Sequence, residues 1–127
     1  MNNKINKLHL SADEKTVSWE SLGKDICVSY AIPVCIKPFY DNSGVVVIEP
    51  MSTAPDNAVI LDPDGNISMR ISNPLSAHKL NTHGDLCFKD VYYGENGVLL
   101  LISGFWYKDY WCLLGRDGKI FEFGETR

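Results

Sequence analysis

The stretch FYDNSGVVVIEPMSTAPDNAVILDPDGNI, residues 39–67, aligns without a gap on YYGENGVLLLISGFWYKDYWCLLGRDGKI, residues 92–120. The two segments are offset by 53 residues, and eight of their 29 aligned positions are identical. Average amino-acid usage would produce about two identities over such a length. The chain therefore contains an internal repeat. The identical pairs are Tyr40/Tyr93, Gly44/Gly97, Val45/Val98, Asp56/Asp109, Leu61/Leu114, Asp64/Asp117, Gly65/Gly118 and Ile67/Ile120.

Each copy of the repeat has the pattern of short antiparallel strands. The first copy predicts strands over residues 26–32, 34–39, 45–48, 58–61 and 67–71. Its last two strands are joined at residues 62–65, where Pro63 presets φ and Gly65 supplies a positive φ. The second copy predicts strands over residues 86–93 and 98–102 and a matching turn at 115–118. We expect residues 45–48 and 98–102 to be central in two equivalent sheets.

Four short antiparallel strands per unit are typical of a β-propeller blade. Residues 10–17 resemble the end of a further blade, although Glu14 stands where the turn glycine is expected. We therefore predict an all-β, single-domain chain of two to two-and-a-half propeller-like blades in an open arc. Its parts would be residues 1–24 as an N-terminal hairpin or half blade, 25–72 as the first repeat, 73–85 as a linker and 86–127 as the second repeat.

An open arc would leave apolar sheet faces exposed at its ends. Self-association, capping by the linker, or a partner protein could cover them, so both a monomer and a small homo-oligomer are open. In the linker, Asn73-Pro74 is a suitable helix start, and one short helix is expected near residues 75–80.

The composition is that of an ordinary globular domain. The chain has 127 residues, of which 45% are hydrophobic and 22% charged. No apolar run reaches the roughly 18 residues of a membrane span, and the first 11 residues lack the apolar stretch of a signal peptide. We expect a cytoplasmic protein that does not bind membranes.

The acidic residues are concentrated in one segment. Residues 38–69 contain five acids and neither Lys nor Arg, while the rest of the chain has 11 acids and 12 bases. Nucleic-acid binding requires clustered basic residues, so this pattern argues against it. A basic protein partner and a plain solvated face both remain open. The five acids are Asp41, Glu49, Asp56, Asp62 and Asp64.

The four cysteines, Cys27, Cys35, Cys87 and Cys112, lie among apolar strand residues without the Cys-x-x-Cys spacing of a zinc site. A chain of this size can build a core without disulfides. We therefore expect four free thiols that act as small core residues, and no metal.

Two short stretches contain residue types that catalysis or metal binding uses. Residues 83–87 (HGDLC) bring a His, an Asp and a Cys close in sequence, as a cysteine nucleophile would require, but a turn leading into a strand explains them equally. Residues 62–66 (DPDGN) begin like a calcium loop but lack its third acidic position and its terminal Glu. We expect neither catalysis nor a cofactor.

Residues 105–111 (FWYKDYW) contain five aromatic residues in seven positions, whereas the aligned residues 52–58 contain none. The repeat itself therefore does not require these rings. Trp and Tyr often carry the binding energy of protein interfaces. Trp106, Tyr107 and Tyr110 could thus anchor a partner, or they could cover the open end of the arc as core.

Size, acidity and a strand-rich, repeat-like build resemble the immunity proteins that neutralise bacterial toxins, particularly those of contact-dependent inhibition systems. The resemblance implies tight one-to-one binding to a cognate toxin, often a nuclease with a basic active-site cleft. The acidic residues 41–64 would suit such a cleft by mimicking phosphate charge. A ligand-binding or scaffolding propeller-like module, or a small Cys/His hydrolase, are the alternatives. The expected partner-binding residues are Asp41, Glu49, Asp56, Asp62, Asp64, Trp106, Tyr107 and Tyr110.

Overall fold

A computed structural model describes residues 4–50, 54–77, 86–105 and 108–126. These ranges contain eleven strands and two short 3-10 helices, the latter at Tyr40–Asn42 and Pro74–Ala77. The strands are β1 (Asn6–Leu10), β2 (Thr16–Ser21), β3 (Lys24–Ser29), β4 (Cys35–Pro38), β5 (Val45–Ile48), β6 (Ala58–Leu61), β7 (Ile67–Ile71), β8 (Cys87–Tyr93), β9 (Leu99–Phe105), β10 (Lys108–Leu114) and β11 (Ile120–Glu125).

The strands form three antiparallel sheets, which confirms the all-β prediction. An N-terminal sheet has the order β1-β2-β3, a middle sheet β4-β5-β6-β7 and a C-terminal sheet β8-β9-β10-β11. The two copies of the repeat are the middle and C-terminal sheets. Strands β5 and β9 are the second strands of these sheets, as expected for residues 45–48 and 98–102.

The two copies share fine details of their last hairpin. In the middle sheet the pairing shifts between Ile60 and Leu61, and in the C-terminal sheet between Leu113 and Leu114, each 53 residues later. The turn amide of Gly65 donates to Asp62, and that of Gly118 donates to Gly115. Both glycines have positive φ, 90° and 81°. The two copies therefore share the β-bulge at this register shift and the conformation of the turn.

The gapless alignment is wrong by one residue in the strand before this hairpin. Leu61 lies opposite Val45, whereas its counterpart Leu114 lies opposite Leu99 and not opposite Val98. Val45 thus corresponds to Leu99, one residue beyond the offset of 53. The stretch between equivalent positions of the second and third strands is one residue shorter in the second repeat than in the first. Residues of β10 and β11 therefore again lie 53 positions after their counterparts in β6 and β7.

The N-terminal unit is larger than the sequence indicated. Strand β3 pairs with β2 along its whole length, from Thr16 opposite Ser29 to Ser21 opposite Lys24. The first repeat therefore begins after Ser29, and not at residue 25. Glu14 adopts the left-handed conformation expected of the missing glycine, with φ of 63°. Of the predicted linker helix, the described part is the single 3-10 turn Pro74–Ala77; residues 78–80 lie outside the described residues.

The middle sheet is buried on both faces, which explains its continuous apolar runs VVVI and AVIL. Val45 and Val47 pack with Val17 and Trp19 of the N-terminal sheet. The alternate side chains pack against the C-terminal sheet in a second cluster. Its members are Val46, Ile48, Ala58, Ile60 and Ile71 from the middle sheet, Tyr40 before it, and Phe88, Val91, Leu99, Leu101, Cys112 and Leu114 from the C-terminal sheet.

Each hairpin turn packs on the sheet before it. A Cβ at Gly65 would lie 3.0 Å from Ile26 of the N-terminal sheet, and a Cβ at Gly118 would lie 2.4 Å from the sulfur of Met69 in the middle sheet. Trp19 Nε1 also donates a hydrogen bond to the Pro63 carbonyl at 2.8 Å. In both repeats the turn glycine thus lies against the sheet that precedes it in the chain.

Candidate functional site

The middle sheet divides the five predicted acidic residues between its two ends. Val45 pairs with Leu61 at one end of the strands and Ile48 pairs with Ala58 at the other. Asp41, Asp62 and Asp64 therefore lie at the first end, while Glu49 and Asp56 lie at the second. The structure does not gather the whole acidic segment into one surface.

At the first end, Asp41 is held by a residue of the second repeat. Arg116 donates a hydrogen bond to its carboxylate at 2.7 Å, and the two side chains are 66% and 69% exposed. The guanidinium also lies 4.8 Å from the centre of the Tyr40 ring. Lys4 donates to the carbonyl of Asp41. This exposed ion pair contributes little stability, so Asp41 remains accessible to a partner.

A cleft of about 180 Å³ lies beside this ion pair, between the turn of the β10–β11 hairpin and the middle sheet. Asp62 and Asp117 line it from equivalent turns of the two repeats, together with Arg116. Asp62 Oδ1 accepts the backbone amides of Asp64 and Asn66, and Asp117 Oδ1 accepts that of Lys119. We call this region, with Asp41, Asp62, Asp64 and Asp117, the acidic end. Asp117 was missed by the sequence reasoning, although it aligns with Asp64.

At the opposite end, the acidic residues serve the fold. Asp56 Oδ1 accepts the backbone amide of Asn73 at 2.7 Å, and its carbonyl accepts a bond from Arg70. Burial raises the pKa of the Tyr30 phenol, and the charge of the nearby Glu49 raises it further. Asp56 therefore ties the linker to the middle sheet.

The aromatic stretch is divided as well. Trp106 and Tyr107 lie outside the described residues. Tyr110 is only 7% exposed and packs with Leu75, Leu86 and Phe105. Its position agrees with the core alternative for this ring. Trp111, which was not singled out, lies on the opposite face of β10 and is half-buried.

The thiols have the environment of core residues. Burial raises the pKa of Cys112 to about 12, and burial together with the Asp90 carboxylate raises that of Cys35 to about 11. Such thiols are almost entirely protonated at neutral pH and are poor nucleophiles. Cys87 is buried with its sulfur 3.7 Å from the Pro50 carbonyl, while His83 and Asp85 lie outside the described residues.

The described residues include no group of three His, Cys, Asp or Glu side chains placed to hold a metal ion. In the turn 62–66 the carboxylate of Asp62 caps backbone amides, which accounts for this acidic residue without a cation.

A wider groove of about 430 Å³ separates the edge strands β7 and β11. Met69, Pro74 and Ile120 give it an apolar floor, and Arg70 and Lys119 stand at its sides. A ligand-binding module would need such a groove.

The C-terminal sheet carries a second surface that the sequence reasoning missed. Register places four half-buried apolar side chains on the face that points away from the middle sheet. These are Leu100, Ile102, Trp111 and Leu113. The signal was present, because residues 98–102 and 111–114 are apolar at successive positions, as in the doubly buried strands of the middle sheet.

Comparison of the chain with protein-family models, curated proteins and solved structures finds no match. Within the described ranges, no helix has the length and apolar character needed to cross a membrane.

Proposed function

We propose that this chain is an immunity-type protein that binds a cognate bacterial toxin and neutralises it by steric and electrostatic blocking. The toxin would be a nuclease with a basic active-site cleft. The observation that carries this proposal is the acidic end: Asp62 and Asp117 of the two repeats line one cleft, and Asp41 lies beside it on Arg116.

Carboxylates clustered on one end of a small protein attract a cationic partner over roughly the Debye length. Arg116 and Lys4 compensate part of this charge, and they also hold Asp41 in place. The carboxylates at Asp62 and Asp117 are oriented by turn amides, so little conformational entropy is lost when they meet a cation. The acidic end would therefore accelerate and orient the encounter with the toxin.

Binding is favoured over catalysis by the state of the thiols. The hydrolase alternative needs Cys87 as an accessible nucleophile. Cys87 is only 8% exposed, and its thiol donates to the Pro50 carbonyl.

We also propose that the three sheets are successive blades of an open, propeller-like arc, with the N-terminal sheet as an incomplete blade. The repeated packing of Gly65 and Gly118 on the preceding sheet supports this arrangement. In an experimental structure, the rotation relating the first two sheets should match the rotation relating the last two; unequal rotations would contradict the arc.

The function is tested with the product of the gene directly upstream, because immunity genes follow the toxin that they neutralise. Co-expression should restore growth to cells that carry this toxin, and the purified proteins should form a one-to-one complex. Asp62→Asn and Asp117→Asn each keep the turn-capping oxygen, so both should fold normally while the double variant lowers the association rate and its salt dependence.

The matched control is Asp25→Asn, which removes one exposed carboxylate from the N-terminal sheet and should leave the association rate almost unchanged. No rescue of growth and no complex with the wild-type chain would reject the proposed function. An unchanged association rate in the double variant would reject the acidic end as the steering surface.

A further inference from the structure

The outer face of the C-terminal sheet is apolar at its centre. Leu100 pairs with Leu113, and Ile102 pairs with Trp111. All four side chains are half-buried, and none belongs to the hydrophobic clusters formed by the described residues. Tyr92, beside Leu100 on β8, is 42% exposed. We call these five residues the outer apolar face.

This face corresponds, position by position, to the face of the middle sheet on which the C-terminal sheet packs. Since Val45 matches Leu99, Val46 matches Leu100 and Ile48 matches Ile102. On the neighbouring strand, Ala58 and Ile60 match Trp111 and Leu113. The four middle-sheet residues are 0–5% exposed, because the C-terminal sheet packs on them. The outer apolar face is thus built as a packing surface, but no described element occupies it.

The other end of the stack is different. Apart from the thiol of Cys27, the outer face of the N-terminal sheet is polar, so it requires no cover. Its side chains are Asn6, His9, Thr16, Ser18, Glu20, Asp25, Cys27 and Ser29. The outer faces of the two terminal sheets therefore differ in polarity. A general excess of apolar residues in the chain does not explain the apolar outer face of the C-terminal sheet.

The Trp111 ring is positioned in advance. A Cβ at Gly124, the neighbour of Trp111 on β11, would lie 2.5 Å from the ring. The absence of a side chain at Gly124 lets the indole lie across the neighbouring strand. A large ring already held flat on a sheet loses little freedom on binding, as interface anchors do.

Acidic residues surround the outer apolar face. Asp90 pairs with Ile102 on the edge strand β8, where its carboxylate also contacts the Cys35 thiol of β4. Glu122 pairs with Leu113 on the edge strand β11. Asp109 follows at the end of β10, where Lys89 binds it at 2.7 Å. Burial raises the pKa of Tyr92, and the charges of Asp90 and Asp109 raise it further. The rim is therefore negative overall.

Charge and polarity select the occupant. A second copy packed face to face would oppose Asp90 and Glu122 of both chains, which is repulsive. A second copy packed head to tail would press the polar outer face of the N-terminal sheet onto Trp111 and Ile102, which would desolvate polar groups without partners. We infer that the outer apolar face binds the toxin itself, through an apolar patch of the toxin bordered by Lys and Arg. This inference rests on the proposed function and names the surface that anchors the complex.

The test uses the full chain and the upstream gene product, purified as a catalytically inactive variant. Ile102→Lys places a charge at the centre of the face, and we expect it to weaken binding by about 30-fold or more, as for an interface hot spot. Ser18→Lys, on the outer face of the N-terminal sheet, is the matched control and should bind as the wild type. Glu122→Lys, at the exposed rim, should lower the association rate without affecting the fold.

Thermal melts show whether Ile102→Lys is folded. If it is not, Glu122→Lys decides, and an unchanged association rate then overturns the inference. A folded Ile102→Lys that binds as the wild type overturns it while the proposed function stands. A wild-type chain that binds no toxin overturns both. A wild-type homodimer that Ile102→Lys converts to a monomer would assign the face to a second copy and overturn the inference too.

Discussion

The side chain of Asn57 pairs with the backbone of Phe88 as a neighbouring strand would. Asn57 Nδ2 donates to the Phe88 carbonyl, and the Phe88 amide donates to Asn57 Oδ1, both at 2.7 Å. The same Nδ2 donates to the Glu49 carbonyl at 2.8 Å. One buried amide thus joins the middle sheet to the first strand of the C-terminal sheet and satisfies the backbone amide and carbonyl of Phe88.

Asn57→Ala should lower the free energy of unfolding by about 3 kcal/mol, because it leaves the buried amide and carbonyl of Phe88 without partners. Urea denaturation with an unchanged m-value measures this loss. Asn6→Ala, at an exposed position of the N-terminal sheet, is the control and should change stability by less than about 0.5 kcal/mol. Equal stabilities of the two variants would contradict the role of Asn57.

Gly118→Ala should destabilise the chain more than Gly97→Ala. Both glycines have a positive φ, 81° and 79°, so alanine costs about 1–2 kcal/mol of backbone strain at either position. A Cβ at Gly97 meets nothing within 4 Å, whereas a Cβ at Gly118 meets Met69 and Ile60. The difference between the two melts therefore isolates the packing of the turn on the middle sheet. If the two variants melt together, the turn does not need a glycine for packing.

Tyr110→Ala should lower stability by about 3 kcal/mol or more, as for other buried aromatic residues. Trp106→Ala tests the remaining part of the predicted anchor. If Trp106 anchors the toxin, this variant melts like the wild type and dissociates faster, by an amount equivalent to about 2 kcal/mol. A Trp106→Ala protein that melts well below the wild type would place this ring in the core.

Thiol reactivity should separate Cys27 from the other cysteines. Cys27 is exposed, Cys35 is half-buried, and Cys87 and Cys112 are buried. At pH 8 the raised pKa values of Cys35 and Cys112, about 11 and 12, keep these thiols protonated, so they should react slowly in the folded chain. Titration in denaturant without reductant should count four thiols, and a count of two would indicate a disulfide.

The repeat and its turns could be predicted from the sequence, because their causes are local. Gly65 and Gly118 are required by a positive φ within a four-residue turn, and the pairing of each last hairpin follows from that turn. The apolar runs over 45–48 and 58–61 predicted strands, and their lack of alternation was the sign of a doubly buried sheet.

Where the sequence suits two arrangements equally, only the tertiary structure shows which one the chain adopts. The side chains of β3 alternate between apolar and polar, which would suit an edge strand of the N-terminal sheet or of the middle sheet. Only the backbone register shows that β3 pairs with β2. Asp41 and Asp62 lie apart from Glu49 and Asp56 because they adjoin opposite ends of the paired strands β5 and β6. The outer apolar face depends on a one-residue shift between β5 and β9, since a shift of one residue exchanges the two faces of a strand. Local sequence sets turns and strands, but long-range register decides which side chains share a surface.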